Sequence, residues 1–586
     1  MVTDDAAGTD APEPTDPLDT ASETEAAEPS PASGARSRVA TWTSDYVSRL
    51  SYTGAVLATL FLWLSTTPSL LPRGPLFQGV VAAGAAAIGY GLGAFFAWFA
   101  RYLVSRQEAW PRPSQIWWIG LGVVASVGTV VALYWFHRWQ DELRDLMGVD
   151  HLTWTSYPQI AIIAVIVFAI LVGVGQAWGA LVRFIARKLT AHIPPRISGA
   201  VAALVVILVS IFVVNGVVTN YGMKALNETF AAVNDESTPD SSPPSSPLKS
   251  GSPESLVSWE SLGRQGRAFV STGPTKEEIG EFNHKPALEP IRVYAGLESA
   301  PTIAEAATLA ADELVRAGGL TRKVIAVAST TGTGWINRAN PDSIEYMYNG
   351  DTAIVGMQYS TLPSWLSFIV DQERARQAGR ALFEAVDRRV RDIPEATRPK
   401  IVVFGESLGS FAAEAPFGSI PTMSARTDGA LLTGPTFSNT LWRDTTNGRD
   451  SGSPEYLPIF DNGDQVRFIM DPADLDRPAG QPWTKGRIVY LQHPSDPISW
   501  WSPDLLFDEP DWLREQRGPD VLDSTTWFPI LTFLQVAADM AVSVDVPDGH
   551  GHNYLAAIPK AWAQILEPPG WTNEDTIRLL PRLTRD

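Results

Sequence analysis

Five apolar stretches between residues 51 and 220 constrain the fold of this chain more than any other feature. Each is close to the roughly 20 residues that a helix needs to cross the ~30 Å hydrocarbon core of a bilayer. None of them contains Asp, Glu, Lys or Arg, and five such segments in succession are not typical of a soluble protein. The sequence therefore predicts an α-helical membrane domain of five spans over residues 50–222. The spans are expected at 51–71, 77–100, 115–136, 159–182 and 198–220.

Basic residues beside the spans predict the orientation of this domain. Ten lie on the side of the N-terminus, namely Arg36, Arg38, Arg49, Arg101, Arg106, Arg112, Arg183, Arg187, Lys188 and Arg196. Four lie on the other side, namely Arg73, Arg138, Arg144 and Lys224. Because cytoplasmic flanks are enriched in Lys and Arg, we expect a multi-pass protein of the plasma membrane with a cytoplasmic N-terminus. An odd number of spans then places everything after residue 222 outside the cytoplasm.

Two polar segments flank the membrane domain. Residues 1–34 carry nine Asp or Glu and no Lys or Arg, so we interpret residues 1–49 as a disordered acidic tail with a basic approach to the membrane. Residues 223–256 contain a run rich in Ser and Pro, which is typical of a semi-extended linker. The net charge of −19 disfavours a nucleic-acid partner, and the absence of Cys excludes disulfides and thiolate chemistry.

Residues 257–586 alternate between short strand-like and helix-like runs. Several strand-like runs are apolar throughout, as in strands that are buried on both faces. The alternation predicts a mostly parallel sheet with helices on both faces, the architecture of an α/β-hydrolase domain. The stretch 436–485, rich in Asp, Gly, Pro and Asn, is expected to be an inserted cap. The predicted strands are 291–295, 324–328, 352–358, 401–404, 430–432, 487–491 and 542–546.

One motif in this region indicates a nucleophile. Gly405-Glu406-Ser407-Leu408-Gly409 directly follows an apolar run and precedes a helix-compatible stretch. This is the strand–turn–helix context of a nucleophile elbow, in which a serine hydroxyl is exposed on a strained turn. The bare G-x-S-x-G pattern also occurs by chance, and a structural Gly/Ser turn is the alternative. The context favours Ser407 as the catalytic nucleophile.

A serine hydroxyl is a weak nucleophile and needs a base. Two histidines, His550 and His552, follow the predicted strand 542–546. We favour His552 as the base because it lies closer to the following helix, and His550 is the alternative. Their H-x-H spacing also permits a metal pair, but no convincing third ligand lies nearby in the sequence. We therefore predict neither a metal site nor a cofactor.

The acid of the triad is expected between the nucleophile and the base, because the order on this fold is Ser, acid, His. The predicted strand 487–491 leads into a loop that contains Asp496. We therefore predict that Asp496 orients the imidazole and stabilises its cation. Asp504 and Asp548 are weaker alternatives.

The oxyanion of such a reaction must be stabilised by two backbone N–H groups. One is expected from Leu408, directly after the nucleophile. The other is expected from the glycine-containing loop that follows strand 324–328, in the region of Thr331, Gly332 and Thr333. This loop fits neither a dinucleotide fingerprint nor a Walker A loop, and an ordinary turn is the alternative.

Several short motifs occur together in the chain. They are Leu262-Gly263-Arg264-Gln265-Gly266-Arg267, Thr331-Gly332-Thr333-Gly334-Trp335, Gln358-Tyr359-Ser360, Leu362-Pro363-Ser364-Trp365, the motif around Ser407, Tyr490-Leu491-Gln492-His493, Ser495-Asp496-Pro497 and residues 549–554. With Leu64-Ser65 and Pro68 to Arg73, they resemble a bacterial family of integral-membrane α/β-hydrolases. In that family a multi-span N-terminal domain precedes an extracytoplasmic hydrolase domain. The resemblance implies the same triad and supplies no substrate.

These features predict a membrane-anchored serine hydrolase of the esterase, lipase or thioesterase type. Its expected substrate is a lipid or an acylated small molecule outside the plasma membrane. One alternative is an envelope acyltransferase that uses the same triad, and another is a non-catalytic receptor or assembly protein. Four Trp near the site loops predict an apolar acyl pocket, with core packing as the alternative. They are Trp335, Trp365, Trp500 and Trp501.

Overall fold

The computed structural model describes residues 50–103, 113–216, 223–238 and 241–583. The predicted tail of residues 1–49 and the basic residues Arg106 and Arg112 lie outside the described residues. Residues from Thr53 onward form one compact unit, which contains both the N-terminal helices and the α/β domain.

Five apolar helices form the N-terminal part of this unit. They are α1 (Tyr52–Leu64), α2 (Pro75–Leu103), α3 (Gln115–Met147), α4 (Ser156–Leu189) and α5 (Pro195–Phe212). Four of them, α2 to α5, are long and apolar enough to cross a membrane. Many large apolar side chains on these helices are exposed, as expected where the surrounding solvent is lipid. Since α1 has only 13 residues, the five predicted spans correspond to four long helices and one short one.

The first predicted span ends early because its polar side chains form hydrogen bonds to carbonyl groups at the end of the helix. The hydroxyl groups of Ser65, Thr66 and Thr67 each donate to a carbonyl three residues earlier, at 2.6 Å. Such bonds compete with helical pairing, and Pro68 then cannot continue the helix. Residues 65–73, here called the membrane loop, begin with a turn and contain no helix.

The membrane loop packs into the α/β domain. Leu70 and Leu71 are completely buried and belong to the same apolar core as residues of the central sheet. Burying a Leu side chain contributes about 1.5–3 kcal/mol. The membrane part and the α/β part therefore share one core.

The α/β domain is built on a seven-stranded sheet in which every pair of neighbouring strands is parallel. The strands are β1 (Ile291–Ala295), β2 (Val324–Ser329), β3 (Thr352–Met357), β4 (Lys400–Glu406), β5 (Gly429–Thr433), β6 (Val466–Ile469) and β7 (Arg487–Leu491). Their order is β1-β3-β2-β4-β5-β7-β6, so that β4 is central. Because the strands are parallel, the loops after β2, β4, β5 and β7 meet at one edge of the sheet.

Helices cover both faces of the sheet, since nearly every strand residue is buried and two apolar cores form, one on each side. The described helices after α5 are α6 (Met223–Asp235), α7 (Gly263–Ser271), α8 (Lys276–Asn283), α9 (Ile303–Arg316), α10 (Ala339–Met347), α11 (Ser364–Val370), α12 (Gln372–Arg391), α13 (Leu408–Glu414), α14 (Ile420–Arg426), α15 (Thr440–Asn447), α16 (Pro497–Trp500), α17 (Asp511–Arg514), α18 (Leu531–Asp539), α19 (Ala557–Leu566) and α20 (Asn573–Leu583).

One predicted strand is wrong and one strand was missed. Residues 542–546 form no strand, because the chain leaves α18 through a short 3₁₀ turn, Met540–Val542, and continues in turns with Val544 exposed. The edge of the sheet is instead completed by β6, which lies inside the stretch that we interpreted as a cap. A four-residue strand is too short to produce a readable periodicity.

The predicted linker is partly integrated into the α/β domain. Its first part is helix α6. Farther on, the Ser250 N–H donates to Arg292 O at 3.1 Å and the Arg292 N–H donates to Leu248 O at 3.2 Å, so that this segment runs alongside β1. Part of the predicted linker therefore lies against the sheet of the α/β domain.

Candidate active site

Ser407 lies at the sharp turn between β4 and α13. Its φ of 57° and ψ of −124° cost a non-glycine residue about 1–3 kcal/mol. The turn is held by the Ser407 N–H, which donates to Thr433 O on β5 at 2.9 Å. It also needs two residues without a Cβ, since a Cβ at Gly405 would lie 2.2 Å from Gly409 O and one at Gly409 would lie 2.4 Å from Ser329 O. Ser407 thus occupies the strained position that the motif indicates.

Asp496 and His552 are in direct contact. Asp496 follows β7 and caps the N-terminus of α16, and His552 lies in the loop before α19. The distance from His552 Nδ1 to Asp496 Oδ2 is 2.7 Å, and both side chains are buried. The distance from His550 Nδ1 to Asp520 Oδ2 is 3.3 Å, so that His550 faces Asp520 instead. The structure therefore brings Asp496 together with His552 and not with His550.

Other donors hold the Asp496 carboxylate in place. Its Oδ2 accepts from Tyr554 OH at 2.7 Å and from Ser499 Oγ at 3.2 Å, and its Oδ1 accepts from the Ile498 N–H at 2.8 Å. This arrangement gives both carboxylate oxygens a hydrogen-bond donor from the protein. It also fixes the orientation of the carboxylate.

The surroundings of His552 suit a base. Burial lowers its pKa, but the negative charge of Asp496, their hydrogen bond and the charge of Glu406 outweigh burial and raise the pKa above 6.5. Among the described residues, His552 Nε2 has no hydrogen-bond partner. A Cβ at Gly434 would lie 2.4 Å from His552 Cε1, so a larger residue there would push the ring aside. The ring is thus held through Nδ1, and Nε2 remains available for a proton.

The predicted oxyanion loop lies against the elbow. The close approach of Gly409 to Ser329 brings the end of β2 and the following loop to the start of α13. Within the loop, the Thr331 N–H donates to Trp335 O at 3.1 Å, so Thr331 is a poor candidate for the oxyanion donor. A Cβ at Gly332 would lie 2.4 Å from Ser367 Oγ. The candidates that remain are Gly332 and Thr333, together with Leu408 at the first position of α13.

Glu406, the neighbour of the nucleophile, is a buried acid that sequence reasoning did not single out. Burial raises its pKa to about 7, against the lowering influence of His552 and of its hydrogen bond with Asn337. Asn337 Nδ2 donates to Glu406 Oε2 at 2.7 Å and to Tyr554 O at 3.0 Å. Glu406 is therefore a second acidic group, besides Asp496, close to the imidazole of His552.

The sequence contained only weak signals for these additional residues. Glu406 and Tyr554 lie inside the motifs that carry the family resemblance, whereas Gly434 and Asn337 lie outside them. Two of the four Trp predicted to line one pocket, Trp500 and Trp335, lie in different environments. Trp500 is a core residue whose Nε1 donates to His493 O, Trp335 is 38% exposed, and the side chain of Trp365 lies outside the described residues.

The membrane loop reaches this site at the His552 side. Asp539 at the end of α18 accepts from Arg73 Nε at 2.6 Å and from the Leu70 N–H at 3.1 Å, and the Ser69 hydroxyl also donates to it. Asp539 is completely buried and Arg73 almost so. A Cβ at Gly551 would lie 3.3 Å from Leu71 Cδ2, which places the membrane loop beside the residue that precedes His552.

Across the described parts of the chain, no cluster of three or more His, Asp or Glu side chains could hold a metal ion. What the site offers is a serine on a strained turn, a buried carboxylate–imidazole pair and a glycine-containing loop beside the elbow. This constellation suits nucleophilic attack with general-base assistance.

Comparison with known families agrees with this architecture. Residues 291–579 match the model described as "Alpha/beta-hydrolase family", and residues 66–274 match the model described as "Alpha/beta-hydrolase family N-terminus". No curated protein and no solved structure matches the chain. The first model spans the seven-stranded sheet and the proposed catalytic residues, and the second begins within the membrane loop. The chain therefore belongs to this α/β-hydrolase family and carries the family's N-terminal region as well as its hydrolase domain.

Proposed function

We propose that the protein is a serine hydrolase that cleaves ester bonds through Ser407, His552 and Asp496. The observation that carries this proposal is the buried contact between His552 and Asp496, which leaves Nε2 of the imidazole available. That contact lies at the same sheet edge as the strained Ser407.

The roles follow from the chemistry of the three groups. Ser407 Oγ attacks the ester carbonyl carbon while His552 Nε2 takes the hydroxyl proton, and Asp496 stabilises the resulting imidazolium. The Leu408 N–H and a second N–H from the glycine-containing loop stabilise the oxyanion. His552 then gives its proton to the departing alcohol. Water, activated by the same imidazole, attacks the acyl-enzyme and releases the acid.

The proposed substrate is a lipid or another acyl ester at the membrane. The support for this choice is the membrane loop, which is built into the side of the site that holds His552. A catalytic site joined so closely to membrane helices is suited to a substrate held in or on the bilayer. We further propose that the protein resides in the plasma membrane, with the N-terminus cytoplasmic and the α/β domain outside, an arrangement in which the short helix α1 crosses the bilayer together with α2 to α5.

A serine-reactive fluorophosphonate probe tests the nucleophile and the base on the full chain in detergent micelles. We expect labelling of the wild type, none of Ser407→Ala, and strongly slowed labelling of His552→Ala. The matched control is His550→Ala, which should label at close to the wild-type rate. Equal labelling of Ser407→Ala would refute the proposal. Release of free acid from a model ester distinguishes hydrolysis from transfer to an added alcohol.

A further inference from the structure

Four aromatic side chains form a continuous row at the sheet edge that carries the proposed catalytic residues. This aromatic row consists of Phe368, Phe437, Trp501 and Phe533. Successive ring centroids are 5.4, 5.4 and 5.1 Å apart. All four side chains are partly exposed, and three of them, Phe368, Trp501 and Phe533, pack against the buried core. The row is therefore a connected apolar surface assembled from four separate segments of the chain.

One part of the row lies close in the chain to groups of the candidate active site. Phe437 follows by three residues Gly434, whose missing Cβ makes room for the ring of His552. Trp501 directly follows α16, the short helix that Asp496 caps. These short connections limit how far Phe437 and Trp501 can move along the surface.

The other end of the row lies on the helix that holds the membrane loop. Phe533 belongs to α18. From the same helix, Gln535 Nε2 donates to Thr67 O at 3.0 Å, and Asp539 binds Arg73. Helix α18 also packs against α2, one of the four long apolar helices. The row thus runs from α18, which contacts the membrane loop, to residues that lie close in the chain to Gly434 and α16.

Trp501 has a donor that the protein does not use. Among the described residues its Nε1 is a buried atom without a hydrogen-bond partner. An unsatisfied buried donor is unfavourable, and a buried indole N–H usually has an acceptor. An oxygen atom of a bound molecule would supply that acceptor in the middle of the row.

We propose that the aromatic row binds the acyl chain of a lipid ester, which reaches Ser407 from the membrane side. This inference rests on the proposed hydrolase function and names the substrate class for the same site. A hydrocarbon chain has no polar group that needs a partner, so it gains from apolar contact along the whole row. The Trp501 N–H donates to an ester or headgroup oxygen of the same lipid.

The test is the chain-length dependence of ester hydrolysis by the full chain in detergent micelles. The substrates are p-nitrophenyl esters from acetate to dodecanoate. Because a buried methylene contributes about 0.8 kcal/mol, kcat/KM of the wild type should rise by up to about fourfold per methylene along the row. Trp501→Ala and Phe437→Ala should lower kcat/KM for dodecanoate at least tenfold more than kcat/KM for acetate. Trp501→Phe, which keeps a ring, should retain most of the chain-length dependence.

Phe507→Ala is the matched control, because Phe507 is 72% exposed and lies outside the row. It should leave the whole profile unchanged. A wild-type profile that is flat, or variants that lose activity equally on all esters, would overturn the inference and leave the hydrolase function standing. Absence of any Ser407-dependent hydrolysis would overturn the proposed function, and this inference with it.

Discussion

Asp496 and Asp539 are both completely buried carboxylates, yet their partners differ in kind. Asp496 accepts from the imidazole of His552 and from the Tyr554 hydroxyl, neither of which carries a permanent charge. Asp539 accepts from the guanidinium of Arg73, and arginine is the side chain that proteins use as a permanent cation. One carboxylate is therefore paired with a group whose charge can change, and the other with a fixed cation.

Because of this difference, one carboxylate is suited to a reaction and the other is suited to holding two parts of the protein together. A buried carboxylate whose partner can gain and lose a proton is what a proton-transfer step requires. A buried carboxylate with a permanent cation has nothing to exchange, and removing one partner leaves an uncompensated charge. The comparison supports the proposed role of Asp496 in the reaction and a role of Asp539 in joining the membrane loop to the α/β domain.

The largest effect is expected from Asp496→Asn. The amide cannot stabilise the imidazolium and favours the wrong tautomer, so kcat for a short ester should fall by about 10⁴-fold. The thermal unfolding midpoint should change little, since the amide can keep several of the hydrogen bonds. Steady-state kinetics and thermal unfolding on the same preparation check both expectations. A variant whose unfolding midpoint falls strongly while its kcat stays at the wild-type value would reverse the assignment.

Asp539→Asn should show the opposite pattern. Breaking the buried pair with Arg73 should lower the free energy of unfolding by about 3–5 kcal/mol. Unfolding of the full chain in detergent micelles measures this loss. The control is Asp312→Asn, which breaks an exposed pair with Arg389 and should cost at most about 1 kcal/mol. Equal losses in the two variants would mean that the membrane loop is not held by this pair.

Local patterns were sufficient to predict much of the sheet. The strands 291–295 and 487–491 have the same bounds in the structure, because short apolar runs between turn residues identify buried strands. The elbow around Ser407 is also a local feature, since it depends on two glycines within five residues.

The contacts between distant segments could not be predicted in this way. Arg73 and Asp539 are 466 positions apart, and no periodicity in either segment indicates that they meet. The membrane loop was predicted as the end of a span because its leucines suit lipid and a protein core equally well. The alternating valines at 542–546 have strand propensity, but Val544 is exposed and the segment forms turns.

Tyr554→Phe removes one donor from Asp496 and should have a moderate effect. A hydrogen bond to a charged group contributes about 1.5–3 kcal/mol, so kcat should fall by about 10- to 100-fold. Tyr490→Phe is the matched control, because its hydroxyl also donates to a buried carboxylate, that of Glu414, at 2.9 Å. We expect the control to leave kcat within a fewfold of the wild type. A similar fall in both variants would point to a general loss of packing.

The smallest effect is expected in the pH dependence of Glu406→Gln. His552 must be neutral to accept a proton, and its pKa is raised, so wild-type activity should fall as the pH drops through a value above 6.5. The charge of Glu406 contributes to that rise. Removing this charge lowers the pKa of His552, and the acid limb of the kcat/KM profile should move to lower pH.

The matched control is Glu414→Gln. Burial also raises the pKa of Glu414 to about 7, and its replacement should not move the acid limb. An unchanged limb in Glu406→Gln would show that Asp496 alone controls the charge of the imidazole.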